Sequence, residues 1–319
     1  RFKKFFFFLP VQLGVVHNIQ NYISHFTHLC NHLYIVNPND IDEQKLRGWQ
    51  DAGINRLSIG IQSFNDEELR FIGRRHTASE ALQAVSMAQE VGFNNISIDL
   101  IYGLPLQNIQ SWSSTLQQAL QLNVQHISTY CLSYEEGTPL TKKLERGEIS
   151  RANEDTELEM YRILADTLTR NGYEHYEVSN FALPNYYSRH NFGYWDGTYY
   201  IGFGAGAHSY SGDNRSWNIN DIEQYISAIE SFLPVSKEEW LTQEDKYNEQ
   251  VMLSLRTKNG IDISKMTEQD RQYCLKNAKR FIQTGHLALN NDRLVATYKG
   301  IDILNTITIQ LIKPQRSSE

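Results

Sequence analysis

The chain has 319 residues, enough for two domains of ordinary size. Apolar residues make up 40% and charged residues 21%, which supplies a core and excludes a disordered polyampholyte. The 30 Lys and Arg against 37 Asp and Glu leave a formal charge of −7, which argues against nucleic acid as a partner. Three cysteines, Cys30, Cys131 and Cys274, stand far apart in odd number. They form no disulfide framework and fit a reducing, cytoplasmic compartment. No apolar stretch reaches the length of a transmembrane segment.

The front, Arg1-Phe2-Lys3-Lys4 followed by Phe5–Phe8 and Leu9, has the charge order of a secretory leader. Pro10, Gln12 and Gly14 interrupt the run and no small-x-small cleavage site follows, so a buried strand at the front of a truncated chain is the better expectation. Further on, Arg56-Leu57-Ser58-Ile59-Gly60-Ile61 predicts a strand after a helix stop at Gly53. Asn65-Asp66-Glu67-Glu68 supplies an N-cap and an acidic first turn, and Thr77-Ala78-Ser79-Glu80 a capping box. Ala81, Leu82, Val85, Ala88 and Val91 then recur at helical spacing up to Gly92.

Asn95–Ile101 predicts a second strand, closed by Tyr102-Gly103-Leu104-Pro105; a helix around Trp112–Leu122 leads to a third strand, Ile127–Tyr134. Asn153 caps a helix that runs to Gly172, and Glu174–Val178 predicts a fourth strand. Strands separated by single helices call for right-handed crossovers and a parallel sheet, and apolar residues at consecutive strand positions for one buried on both faces.

From about Asp221 the texture changes to helices near 221–232, 243–257 and 267–284, a hairpin across Gly285–Ala296, and a last helix over Lys299–Leu311. That order suggests a helical, winged-helix-like domain over residues 219–319, with residues 1–218 forming the α/β part. The 13 basic and 14 acidic residues of 219–319 give no basic stripe, so a structural or interaction role is expected there rather than DNA binding.

Ligands of parallel α/β sheets sit at the C-terminal ends of strands, where Gln62, Arg74 and Asp99 fall. Asp99 could bond a ligand hydroxyl or cap a neighbouring loop, and the residues alone favour the loop. A second group is Arg189-His190-Asn191-Phe192-Gly193-Tyr194-Trp195, followed by the glycines of 202–206 and His208. Imidazole ligates heme iron, Tyr194 and Trp195 could stack on a macrocycle, and Arg189 could meet a propionate. The plain alternative is a surface histidine beside core aromatics. His25, His28 and His32 would share one helix face near Cys30, but nothing completes a metal pattern, so a solvated face is expected. Hydrolase elbows and phosphate loops are absent.

Several of these stretches are specific. Ala52–Asn65, Gly73–Thr77, Asn95–Pro105, Glu136–Leu140, Gly172–Ala182 and Gly206–Ser209 together resemble the radical S-adenosylmethionine (SAM) family of oxygen-independent coproporphyrinogen III oxidases and their HemW-type heme-chaperone relatives. His190-Asn191-Phe192-Gly193-Tyr194-Trp195 is similar to the HNxxYW motif of the chaperones. The resemblance implies a partial (β/α) barrel, a [4Fe-4S] cluster, bound SAM, and heme passed to acceptor proteins such as respiratory enzymes. It assigns Gln62, Arg74 and Asp99 to SAM, and His190, Asn191, Tyr194 and Trp195 to heme, with His190 on the iron. The alternative it leaves is a coproporphyrinogen III oxidase-like radical enzyme of porphyrin biosynthesis, or a non-catalytic remnant of one.

The departures lie before residue 37. The family's CxxxCxxC is absent, the glycine-rich segment expected near Phe5–Val15 is replaced, and Ile35 stands where a Glu is expected before Asn37-Pro38. A truncated or disrupted front end is the expectation. A cluster that cleaves SAM needs three thiolates and an open iron site, so radical chemistry is not expected of these residues alone and enzymic activity is left open.

Overall fold

Alternation within each strand decides which face of the sheet meets the helices. The computed structural model describes residues 32–314, which fall into two units, 32–188 and 189–314. The first unit runs β1 (Leu33–Val36), α1 (Glu43–Asp51), β2 (Arg56–Gln62), α2 (Asp66–Phe71), α3 (Ala78–Val91), β3 (Ile96–Tyr102), α4 (Ile109–Gln121) and β4 (His126–Cys131). It continues through α5 (Pro139–Glu145), α6 (Glu154–Arg170), β5 (Glu174–Glu177) and β6 (Asn180–Ala182). The sheet order is β1-β2-β3-β4-β6-β5, open rather than closed into a barrel among the described residues.

β1 to β4 are mutually parallel, as their helical crossover connections require. Register puts Tyr34, Val36, Leu57, Ile59, Ile96, Ile98, Ile127 and Phe181 on one face, all of them buried. The other face carries Arg56, Ser58, Ser97, Asp99, His126, Ser128 and Asn180. The central strands are buried on both faces, as expected, but the two faces differ in polarity. Consecutive strand positions are buried, yet only one face is apolar, and the other buries polar groups that bond one another. Ser97 Oγ meets His126 Nδ1 at 2.7 Å, and His126 Nε2 meets the Tyr176 hydroxyl at 2.8 Å.

Glu174–Glu177 runs as foreseen but does not pair with β4. The chain turns at 178–179 and inserts β6 between them, antiparallel to both. Three residues carry no period by which β6 could be recognised.

The helices are cut by their caps. Thr77 and Glu80 close the capping box that starts α3, and Gly92, at φ +107°, ends it in the left-handed conformation. α4 and α6 pack together through fully buried Trp112, whose Nε1 donates to the Met160 carbonyl at 2.9 Å.

The second unit comprises α7 (Arg189–Asp196), β7 (His208–Tyr210), β8 (Asn214–Asn218), α8 (Ile222–Glu230), β9 (Ser236–Trp240), α9 (Gln243–Ser254) and β10 (Ile261–Asp262). It ends with α10 (Glu268–Gln283), β11 (Leu287–Asn290), β12 (Arg293–Ala296), α11 (Tyr298–Ile301) and α12 (Leu304–Leu311). The hairpin β11–β12 forms as expected and takes β10 on its free side. Its helices α9, α10 and α12 bury Val251, Cys274, Ala278, Ile307 and Leu311 between them. The expected last helix is split at Asp302-Ile303 into α11 and α12. A separate antiparallel sheet, β7-β8-β9, was not foreseen, because its strands are short and polar. The change of texture near residue 219 falls inside this unit, whose first described element is α7.

Candidate functional sites

In the first unit, polar side chains gather at the C-terminal ends of the parallel strands. β2 departs from regular pairing with β3 between Ile59 and Gln62, and Gln62 closes it at φ +74°, a left-handed conformation costly for a residue with a Cβ. Gly60 makes room for it: a Cβ at that position would come within 2.8 Å of Gln62 Nε2. Just past β1, Asn37 Oδ1 accepts a hydrogen bond from Arg74 Nη1 at 3.1 Å. His76, buried in the same loop as Arg74, meets the Ile61 carbonyl at 2.9 Å, so the loop is pinned to the end of β2.

Asp99 lies one strand further. Ser58 Oγ reaches its two carboxylate oxygens at 3.1 and 3.3 Å, and Ser128 also bonds it. Loss of water around the carboxyl pushes its pKa up to about 6 against the pull of those hydroxyls and of Arg56 and Arg74. Burial likewise lowers the value of Arg74, while Asp99 raises it. Gln62, Arg74 and Asp99 are thus brought to one end of one sheet. Asn37, Gly60 and His76 belong with them, and sequence reasoning passed over all three. The pair Asn37-Pro38 directly after a strand was the available signal.

This set fits an adenosyl ligand bearing hydroxyls and an amino-acid tail. It offers a carboxylate for a ribose hydroxyl, a guanidinium for a carboxylate, an amide for either, and a glycine that admits close approach. An iron–sulfur cluster does not fit the described residues. Among them Cys131 and Cys274 belong to different units, and no group of three His, Cys, Asp or Glu could hold a metal. Desolvation pushes the Cys131 thiol up to about 12 and Cys274 up to about 11, so both stay protonated at neutral pH. His25, His28 and Cys30 lie outside the described residues, and His32 Nδ1 meets the Gly53 carbonyl at 2.9 Å.

In the second unit, the histidine motif folds as helix α7 rather than as a surface loop. Helical spacing sets His190 beside Tyr194, and Asn191 beside Trp195. His190 Nε2 lies 3.3 Å from the Tyr194 hydroxyl, with the rings edge-on at 84° and their centroids 5.1 Å apart. Tyr194 in turn meets Tyr200 edge-on at 4.7 Å, and the Arg256 guanidinium stands 5.2 Å from the centre of the Trp195 ring. Burial lowers the His190 pKa, which keeps the imidazole neutral, the form that ligates a metal. Among the described residues no helix is long and apolar enough to cross a membrane.

Comparison with known proteins bears on the family of the chain. Residues 21–119 match the Radical SAM superfamily model, and residues 241–303 match the HemN C-terminal domain. The chain is 37% identical over 229 residues to the heme chaperone HemW of Lactococcus lactis, covering 72% of this chain and 60% of that protein. It is 36% identical over 234 residues to heme chaperone HemW of Bacillus subtilis, covering 73% of this chain and 62% of the relative. The mitochondrial radical S-adenosyl methionine domain-containing protein 1 of Bos taurus is 32% identical, with 86% of this chain and 66% of the relative covered. The chain therefore spans about three-fifths of the length of the two bacterial relatives.

Among solved structures, coproporphyrinogen III oxidase (HemN) from Escherichia coli, a radical SAM enzyme, superposes with a TM-score of 0.73 over 91% of this chain and 74% of that one. At 23% identity this likeness shows the fold, an α/β radical SAM fold. With the sequence relatives and both family models in agreement, the chain belongs to the radical SAM superfamily as a member of the HemW type.

Proposed function

We propose that this chain is a heme-chaperone-type protein that binds heme as cargo through α7 and an adenosyl ligand at the strand ends. The observation that carries the reading is His190: a neutral, part-buried imidazole on a short helix, flanked at helical spacing by the Tyr and Trp of its motif. In this reading His190 ligates the iron, Tyr194 and Trp195 line the macrocycle, and Asn191 supplies a polar contact at its edge. Heme would then pass to an acceptor protein such as a respiratory enzyme in the cytoplasm. The likeness to heme chaperones of Lactococcus lactis and Bacillus subtilis supports the same reading.

At the strand ends, SAM would be held by Asp99 on the ribose, Arg74 on the carboxylate, and Gln62 beside them. In the family, a cluster supplies the electron that cleaves SAM. The described residues offer no thiolate set for one, so the role proposed for the strand-end residues is binding.

Titration of the purified chain with heme, followed by absorbance beside His190→Ala, tests the cargo reading. Saturable one-site binding that the variant loses is the expected result. Equal affinity in the two proteins would remove His190 from the site.

A further inference from the structure

Glu68 reads in the sequence as one of three acids that favour the start of α2. In the structure it is buried, 1% exposed, and turned inward. Its Oε2 accepts from Ser63 Oγ at 2.5 Å and from Gln107 Nε2 at 3.2 Å. Ser63, which follows Gln62 directly, also receives the Asn65 amide at 3.0 Å. Gln107 donates a second time, to the Ile101 carbonyl at 3.3 Å, two residues beyond Asp99. A continuous path therefore runs from Gln62 through Ser63, Glu68, Gln107 and Ile101 to Asp99. It joins the loop after β2 to the loop after β3.

A carboxylate buried only for α2 would be a poor choice, because an exposed acid serves a helix start as well and pays no desolvation. Moreover, Glu68 Oε1 and Gln107 Oε1 are both buried without a hydrogen-bond donor. Such a cost is sustained where the geometry it enforces is used.

We propose that Glu68 is a positioning residue, a buried clasp that fixes the separation of Gln62 and Asp99 and so the shape of the adenosyl site. This rests on the reading that the strand ends bind an adenosyl ligand. Glu68→Ala cuts the path at its centre. Glu68→Gln keeps an oxygen for Ser63 and Gln107 and puts an N–H donor where the donorless Oε1 stood, so it keeps the clasp.

Two measurements on the full chain test this, with Leu168→Ala, a buried position two turns along α6 from the Tyr161 that meets Tyr102, as a destabilised control. In hydrogen exchange without ligand, Glu68→Ala should lose protection at residues 62–65 and 103–107 together, while Glu68→Gln and the control keep it. In calorimetric titration with S-adenosylhomocysteine, Glu68→Ala should bind about tenfold more weakly, with Glu68→Gln within about twofold of the parent. Unchanged exchange in Glu68→Ala overturns the clasp. Loosened loops with unchanged affinity overturn its role at the site. A parent chain that does not bind S-adenosylhomocysteine overturns the adenosyl reading instead, and exchange still decides whether the two loops are joined through Glu68.

Discussion

Arg74 is steered by Asn37: its Nη1 donates to the Asn37 side-chain oxygen at 3.1 Å, tying the loop after α2 to the residue that follows β1. Asn37 precedes Pro38, and its own backbone is extended at φ −89° and ψ 150°, so the acceptor is held where the chain leaves the sheet. A half-buried guanidinium without that acceptor would turn toward the Asp99 carboxylate or toward water. Asn37→Ala is therefore expected to weaken S-adenosylhomocysteine binding about fivefold while the melting temperature changes little, since one neutral acceptor is lost at the rim of the sheet. Calorimetric titration and a thermal melt on the same sample check both halves.

Gly60 gives a sharper separation of stability from binding. The nearest atom to an added Cβ is the amide end of Gln62, at 2.8 Å, and the next contacts lie at 3.8 Å. A side-chain end can move, so Gly60→Ala should keep the fold, with stability within about 1 kcal/mol of the parent once the gain from restricting the unfolded chain is counted. In the proposed adenosyl site the displaced Gln62 amide would no longer reach the ligand, and affinity should fall severalfold. A variant that melts far lower would place the added methyl against backbone instead.

The pH dependence of Asp99 has a definite sign. Its native pKa of about 6 lies above the ordinary carboxyl value of 3.8, so the native chain binds this proton more tightly than the unfolded one. The cost of folding with Asp99 charged is absent below pH 3.8, grows from there to pH 6, and is fully felt above it. His126 acts in the opposite direction, because burial holds its imidazole neutral and acid destabilises it below its unfolded value. The whole-protein curve therefore mixes two trends, whereas Asp99→Asn isolates one. The variant should be more stable than the parent at pH 7.5, by an amount that shrinks toward zero near pH 4, and it should bind no adenosyl ligand. Denaturant midpoints at the two pH values measure the difference.

Much of the first unit was legible because local signals and tertiary need agree there. Thr77 and Glu80 cap α3 where the sequence says they should, and β2 and β3 begin and end within a residue of their apolar runs. What escaped has identifiable causes. Ser58, Ser97 and Ser128 are buried because they bond Asp99, His126 and one strand to the next, and a Ser in an apolar run does not announce that partner. Glu68 sits in an acidic helix start indistinguishable from a solvated one until the Gln107 loop folds over it. β9 is Ser-Lys-Glu-Glu-Trp, wholly exposed, and forms by pairing with β8 rather than by burying a face. For the site, Gln62, Arg74 and Asp99 could be named from their motifs. Gly60 and Asn37 needed the register, because their role is to shape neighbours.

The contact between His190 and Tyr194 can be made to report which ring nitrogen would carry iron in the proposed heme site. The Tyr194 hydroxyl lies 3.3 Å from His190 Nε2, so ligation through Nε2 must first displace it. A displaced neutral hydrogen bond is worth about 1 kcal/mol, and Tyr194→Phe removes that cost while keeping the ring against Tyr200. With iron on Nε2, Tyr194→Phe is expected to bind heme about fivefold more tightly, whereas His190→Ala loses binding. The same hydroxyl would instead orient the ring if Nδ1 were the ligand, and the Phe variant would then bind more weakly. Heme titrations of the parent and the two variants at one pH give the sign directly. A weaker Tyr194→Phe would transfer the iron to Nδ1, and an unchanged one would move the iron away from this face of α7.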